Sequence, residues 1–106
     1  MPARRNSARL FAALGDETRL RLVSRLCHKG PMSVTSLSGG FRVSRQAIAK
    51  HLRVMEDAGL AHRTRRGRES VWQLSPQRLG EARRHLGEIS AQWDAALVRL
   101  KDLVER

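Results

Sequence analysis

The sequence predicts a mainly α-helical chain with one small β-hairpin, and three observations support this fold class. Apolar residues recur at helical spacing in four segments before residue 60, and each segment ends at a glycine. Between Leu60 and Leu74 the spacing changes to a two-residue alternation on either side of Gly67, which is typical of two short strands. A long helical pattern then runs from Pro76 onward. At 106 residues, these elements fit one compact domain followed by a long helix.

The first two helices are bounded by capping residues and glycine. Ser7 is predicted to cap a short helix that ends at Gly15, and Asp16 to cap a second helix that a Gly-Pro pair ends. The basic segment over residues 1–6 is predicted to be a disordered arm. The second helix is expected to bury one apolar side, formed by Leu20, Leu22, Val23, Leu26 and Cys27.

A short helix and a longer helix follow. Ser33 begins the third helix, which two glycines close, and Ser44 caps a fourth helix that runs to about Ala58. Two helices joined by a tight turn and followed by a basic hairpin form the pattern of a winged helix-turn-helix. We therefore assign residues 7–75 to a DNA-binding domain of this type.

The fourth helix has one face suited to reading DNA. Its apolar residues lie on one side of a helical wheel, opposite a polar and basic side. In the major groove Arg and Lys donate to guanine, Gln pairs with adenine, and a small Ala permits close approach, while the helix N-terminus can hold a phosphate. The predicted DNA-binding residues of this helix are Ser44, Arg45, Gln46, Ala49, Lys50 and Arg53.

The hairpin carries a second basic cluster. Its arginines repel one another unless a polyanion neutralises them, although a solubilising loop is the alternative interpretation. A basic turn can follow phosphates or place an arginine in a narrow minor groove. The predicted DNA-binding residues of the hairpin are Arg63, Arg65, Arg66 and Arg68.

The net charge favours the same partner. The chain carries 21 Lys and Arg against 10 Asp and Glu, a formal charge of +11, of which residues 1–75 hold +10 and residues 76–106 hold +1. So basic a domain favours nucleic acid, and we expect double-stranded DNA. No apolar run approaches the roughly 18 to 20 residues of a membrane span, so no membrane partner is expected.

The last helix, over residues 76–106, is predicted to mediate dimerisation. Ser75 and Pro76 open it, and its apolar residues then recur at alternating intervals of three and four. This spacing favours a helical partner, and a second copy of the chain is the expected one; packing on its own domain is the alternative. The predicted dimerisation residues are Leu86, Ile89, Trp93, Ala96, Leu100 and Leu103.

Three segments in this order resemble the ArsR-type winged-helix transcriptional regulators: FAALGDETRLRLVSRL, SRQAIAKHLRVMEDAGL and RTRRGRESVWQL. The resemblance covers nearly all of residues 7–106. It implies a homodimeric, sequence-specific repressor that occupies a palindromic operator and is released by a signal. It also implies a dimer interface built from the first and last helices, which adds Leu10 to the predicted interface.

The chain lacks the ligands that metal-sensing members of this family use. Those members carry paired thiols in the third helix or carboxylate and imidazole ligands along the last one. Here the third helix has neither Cys nor His, and the last helix has only His85. Zinc needs three or four converging ligands, so we expect no metal and no other cofactor, and the effector is left open. Cys27 is interpreted as a small core residue, with a redox sensor as the alternative, and His51 is interpreted as a hydrogen-bonded core residue.

Other function classes have less support. No nucleophile is grouped with a base and no Gly-rich loop follows a strand, so we expect no enzymatic activity. The alternative function is a winged-helix docking or dimerisation module without DNA binding, but docking does not require the charge of residues 1–75. A single cysteine and the lack of an apolar signal stretch favour the cytoplasm.

Overall fold

The computed structural model describes the backbone of residues 2–105 and the side chains of residues 7–105. The helices and strands follow the winged helix-turn-helix order that the sequence predicts. They are α1 (Pro2–Leu14), α2 (Glu17–Lys29), β1 (Met32–Ser33), α3 (Val34–Leu37), α4 (Arg45–Asp57), β2 (Ala61–Arg66), β3 (Glu69–Leu74) and α5 (Pro76–Val104). The strands form one antiparallel sheet in the order β1-β3-β2. The predicted fold class is confirmed.

Side-chain caps set the starts of most helices. In each case a side-chain oxygen accepts a hydrogen bond from the backbone N–H three residues further along. These caps are Asp16, Ser33, Ser44 and Ser75. Gly59 follows the end of α4 with φ of +74°, a conformation that favours glycine. The predicted boundaries of α2, α3 and α4 are therefore confirmed.

The first helix begins earlier than predicted. The sequence placed its start at Ser7, behind a disordered arm, whereas the backbone is helical from Pro2. Proline suits the first turn of a helix, and the Ala and Arg residues that follow are good helix formers, so the pattern meets no breaker before Gly15. Met1 and the side chains of residues 2–6 lie outside the described part.

One apolar core joins the helices to the sheet. Its fully buried large side chains come from the four helices α1 to α4 and the residue before β2: Leu10, Leu22, Leu37, Ile48, Leu52, Met55 and Leu60. Trp72 of β3 and Ala82 of α5 also belong to it. Burying a large aliphatic side chain stabilises a fold by about 1.5 to 3 kcal/mol. This core fixes α4 and the base of the hairpin relative to each other.

Three residues are not where the sequence placed them. Leu10 is wholly buried in this core, so it cannot contact a second copy of the fold, and its predicted place in a dimer interface is wrong. Leu20 is 51% exposed and Cys27 is exposed, although both were expected on the buried side of α2. The stripe that α2 buries is narrower than its apolar pattern, because Leu22 and Leu26 are its buried residues.

The sheet contains a third strand that the sequence does not reveal. Met32 pairs with Trp72 and Ser33 pairs with Val71, so β3 is held on both sides near its base. The pairing of β2 with β3 continues beyond this point to the turn, where Gly67 has φ of +61°. Mirror-image hairpin turns need a residue of positive φ, which glycine supplies. The predicted hairpin, which we call the wing, is confirmed.

The last helix projects from the domain. It runs for 29 residues through both of its glycines, a length of about 43 Å at ~1.5 Å per residue. The radius of gyration is 17.4 Å, against about 13 Å for a compact chain of ~100 residues. Its main contact in the body is with α1. In the described part of the chain, no helix is long and apolar enough to cross a membrane.

Candidate nucleic-acid interface

The fourth helix, α4, presents its polar side to solvent as the sequence predicts. Ile48, Leu52 and Met55 hold its other side in the core. The outward side, which we call the reading face, consists of Arg45, Gln46, Ala49, Lys50 and Arg53; Ala49 is half-buried and the others are exposed. Within the described residues, no hydrogen bond or ion pair ties down these side chains, so they are available to a ligand. Their DNA contacts remain predictions.

The start of α4 combines a capping hydroxyl with unpaired backbone donors. Ser44 Oγ accepts a hydrogen bond from the Ala47 N–H at 3.1 Å, which leaves its own hydroxyl proton free to donate. The first N–H groups of a helix have no partner within the helix and carry partial positive charge. This end of α4 can therefore hold a phosphate beside the reading face.

The wing does not present its four arginines on one face. Alternate residues of a strand point to opposite sides, so Arg63 and Arg65 lie on one face of β2 and Arg66 lies on the other. Arg68 lies in the turn, and all four side chains are exposed. Cations on both faces of a narrow hairpin suit a groove, because phosphates line both of its walls.

One wing arginine is also held by the core. The guanidinium carbon of Arg63 lies 5.6 Å from the ring centroid of Trp72, which is 2% exposed. On the other face, the amide of Gln73 donates to His62 Nε2 at 2.7 Å. These contacts stiffen the base of the wing, whereas Arg65 and Arg68 lie closer to its tip.

The turn between α3 and α4 is organised by two arginines of α2 that sequence reasoning missed. Arg25 Nη1 donates to the Leu37 carbonyl oxygen at 2.7 Å and also to that of Gly39. The guanidinium carbons of Arg21 and Arg25 lie 4.4 Å and 4.7 Å from the ring centroid of Phe41. Cation–π contacts of this kind need a ring and a charge that are distant in sequence, so no local pattern indicates them.

Asp16, at the corner between α1 and α2, has a lowered pKa. Asp16 Oδ2 accepts the Arg19 backbone N–H at 3.0 Å, and this bond is the largest cause that lowers the pKa of Asp16 below its ordinary value of 3.8. Burial of Asp16 is the next largest effect and opposes this bond by raising the pKa, while the nearby charge of Arg19 lowers the pKa further. His51 is hydrogen-bonded as predicted, but its side chain is 25% exposed and not a core residue.

The last helix carries the predicted apolar seam, which is uncovered beyond the body. We call the following residues the seam: Leu86, Ile89, Trp93, Ala96, Leu100 and Leu103. The large side chains of the seam are between 37% and 66% exposed, and its one alanine is half-buried. Leu79 and Ala82, which continue the same line toward the N-terminus, pack against the core.

The histidine of α5 joins that helix to its own domain. His85 Nε2 lies 2.7 Å from Ser7 Oγ, and its ring packs edge-on against Phe11 with centroids 6.1 Å apart. Across residues 7–105, no three His, Cys, Asp or Glu side chains converge in a group able to hold a metal ion.

Comparisons with known proteins agree with this geometry. A helix-turn-helix domain family matches residues 14–66, which extend from the end of α1 to the end of β2. The chain is 35% identical over 105 residues to the HTH-type transcriptional regulator Rv2034 of Mycobacterium tuberculosis, covering 99% of this chain and 94% of that one. It is 31% identical over 67 residues to the arsenical resistance operon repressor of Bacillus subtilis, covering 63% and 64%.

A known structure matches nearly the whole fold. The ArsR-like transcriptional regulator from Rhodococcus sp. RHA1 is 36% identical, with a TM-score of 0.76 over 97% of this chain and 96% of that one. This match includes α5 as well as the helix-turn-helix and the wing. The family consists of transcriptional regulators and not of enzymes. The chain belongs to the ArsR-type winged helix-turn-helix family of DNA-binding transcriptional regulators.

Proposed function

We propose that this protein is a homodimeric repressor that occupies a palindromic operator. The observation that carries the proposal is the pair of open surfaces on one chain. The cationic reading face and wing suit a polyanion, and the seam on α5 suits a second apolar helix. The two surfaces lie on different elements, so the protein can engage DNA and a second copy at once.

The seam supports a dimer on grounds of area as well as pattern. The accessible surface is 7983 Å², whereas a compact monomer of 12.0 kDa exposes about 6,000 Å². The excess comes with a projecting helix that carries a continuous exposed apolar line, which is a feature of association sites. Trp93 is the largest side chain of that line, and buried tryptophans are typical anchors of interfaces.

A symmetric dimer determines the form of the operator. An interface between two identical α5 helices is two-fold, so the two reading faces are related by the same axis. Dimers of helix-turn-helix domains accordingly bind half-sites related by two-fold symmetry in successive major grooves. We infer that the operator is a palindrome, read by one α4 in each half.

The residues of the interface divide into two roles. Gln46 and Lys50 lie on the reading face, where direct hydrogen bonds to base edges specify sequence. Ser44 and the wing arginines near the tip contact phosphates, which supply affinity but no sequence information directly. This division separates specificity from affinity.

Repression is the direction of regulation that we propose. The similar Bacillus subtilis protein is named a repressor, and a dimer seated on an operator blocks other proteins from the same DNA. We propose that release does not use metal or arsenic, because the chain has a single cysteine and His85 is already engaged with Ser7. Zinc and arsenite are therefore expected to leave the DNA complex intact.

Selection of bound DNA from a random pool, followed by sequencing, tests the proposal together with sedimentation of the purified protein. We expect a palindromic consensus with half-sites about 10 to 10.5 base pairs apart, centre to centre, and a dimer at micromolar concentration. A pool without consensus would contradict the operator. A monomer, or a single asymmetric site, would contradict the symmetric dimer.

A further inference from the structure

One arginine connects three helices at the back of α4. Arg19 Nε donates to the Ala13 carbonyl oxygen at 2.7 Å, and Nη2 donates to the Ala12 carbonyl oxygen at 3.5 Å. The guanidinium thus supplies hydrogen bonds to two backbone carbonyls at the C-terminal end of α1. The backbone N–H of Arg19 bonds to Asp16, the cap of α2. Its remaining nitrogen, Nη1, lies 3.2 Å from Nδ1 of His51 on α4.

The bond between Arg19 and His51 has a fixed direction. A guanidinium has five donors and no acceptor, so Nδ1 of the imidazole must accept. While this bond is made, Nδ1 carries no proton. The nearest carboxylate oxygen to Nδ1, Asp16 Oδ2, is 3.8 Å away and therefore beyond hydrogen-bond distance. Arg19 is thus the side chain that holds this ring nitrogen.

The position of His51 on the helix makes this bond a control on rotation. Ile48, Leu52 and Met55 form a single line on the buried side, and apolar contacts have no preferred direction. They hold α4 in the core through contacts that include no directional bond. His51 lies beside this line, where a directional hydrogen bond opposes a roll of the helix about its own axis. The reading face is on the opposite side, so any roll displaces it.

We propose that Arg19 is a positioning residue for DNA recognition, which acts through His51 to fix the rotation of α4 about its axis. Functional groups must be held within about 0.5 Å or 10 to 20° to make productive contacts. A small roll moves Gln46 and Lys50 away from base edges, whereas the phosphate contacts of the wing are unaffected. The inference rests on the proposed reading role of α4.

The proposal differs from a purely structural role in what it predicts. A residue that only stabilised the fold would lower the melting temperature and leave the preference of the folded protein for its operator unchanged. A positioning residue lowers the preference itself, measured as the ratio of affinities for the selected duplex and for a scrambled duplex of equal length. Because both duplexes carry the same phosphates, this ratio isolates the base contacts.

The experiment compares four full-length single-substitution variants and one double variant by fluorescence anisotropy on both duplexes at one salt concentration. Arg19→Gln and His51→Leu remove the two partners of the bond, and we expect each to reduce the ratio about tenfold, the size of one base contact. His51→Asn keeps an acceptor near the position of Nδ1 and should retain most of the ratio. Arg83→Gln, on the exposed surface of α5, removes one positive charge away from α4 and controls for charge alone.

Circular dichroism melting curves of the same proteins separate folding from positioning. The double variant with Arg19→Gln and His51→Leu should lose no more of the ratio than either change alone, because both remove one bond. The inference is overturned if the ratio is unchanged in both Arg19→Gln and His51→Leu, if His51→Asn loses as much of the ratio as His51→Leu, or if the losses of Arg19→Gln and His51→Leu add in the double variant. A wild-type protein with no preference for any duplex would instead contradict the proposed function itself.

Discussion

The helix-turn-helix with its wing and the projecting half of α5 are both built from amphipathic elements, but they leave opposite faces open. The body closes its apolar faces on one another and exposes charge, with Leu52 buried and Lys50 exposed on the same helix. The seam of α5 leaves its apolar face exposed, with Trp93 66% accessible. The exposed face of each region indicates the kind of partner that the region suits. A charged face suits a polyanion, and an apolar face suits another helix.

Charge follows the same division. Of the formal charge of +11, the part up to residue 75 carries +10, whereas the remainder is almost neutral. A strongly cationic surface attracts the phosphates anywhere along a DNA duplex. Two such surfaces also repel each other. A nearly neutral α5 therefore suits the proposed approach of two copies along the seam. Experiments that alter one region should therefore leave the other intact.

The largest expected effect is on the seam. Trp93→Asp removes the anchor from both copies and places two like charges at the interface, so we expect the dimer dissociation constant to rise about a thousandfold, from roughly 2 kcal/mol for each tryptophan. Sedimentation equilibrium measures the change. Val98→Asp, an equally exposed site off the seam on the same helix, is the matched control. Equal effects of both changes would show that the seam is not the interface.

A second prediction contrasts a core leucine with a seam leucine. In the monomeric Trp93→Asp background, Leu10→Ala should lower the free energy of unfolding by about 2 to 5 kcal/mol, because it leaves a cavity in the core. Leu100→Ala should change it by less than about 0.5 kcal/mol, since that side chain is 56% exposed. Urea denaturation measures both. Similar losses would mean that α5 folds back on the body.

A third prediction concerns the two parts of the DNA surface. Gln46→Ala should cost about 1 to 3 kcal/mol on the selected duplex and little on a scrambled one, because it removes a base contact. Arg65→Ala should weaken both duplexes alike and flatten the slope of log affinity against log salt by about 0.9, the value for one phosphate. Titrations at several salt concentrations measure these effects. Matching behaviour of the two variants would contradict separate roles for α4 and the wing.

The smallest expected effect is the acid response of the cap of α2. The lowered pKa of Asp16 means that its carboxylate stabilises the fold above its ordinary value of 3.8, and that this contribution is lost as the pH falls through the lower folded value. Asparagine also caps helices, but it does not titrate. The stability advantage of the wild type over Asp16→Asn should therefore disappear in acid, as followed by chemical denaturation between about pH 2 and pH 6. If the wild type remained more stable than Asp16→Asn in acid, the charge of the Asp16 carboxylate would not be the source of the difference.

The sequence predicted those parts of the fold that depend on neighbours along the chain. Ser44 and Gly59 bound α4 through hydrogen bonds and backbone angles within a few residues, so a local pattern reveals them. The same holds for the turn at Gly67 and for the long repeat of α5. The reading face was predictable because one helical period separates it from the core.

Features that depend on distant neighbours could not be predicted in this way. The two-residue strand β1 exists because Met32 lies opposite Trp72, and its own pattern is too short to indicate a strand. Cys27 fits the apolar pattern of α2, yet no other element covers it. The bond from Arg19 to His51 joins residues 32 positions apart, and only the packed fold brings them together.

The exposure of the reading face has a consequence for how the regulator can change over evolutionary time. Arg45, Gln46 and Lys50 are exposed, and substitutions at such surface positions typically alter stability by less than about 0.5 kcal/mol. On the proposed reading role of these side chains, a lineage can exchange them, and with them the preferred operator, without compensating changes elsewhere in the fold. Under that proposal, gene duplication followed by drift at a few surface positions would be enough to direct the same scaffold to a new set of promoters.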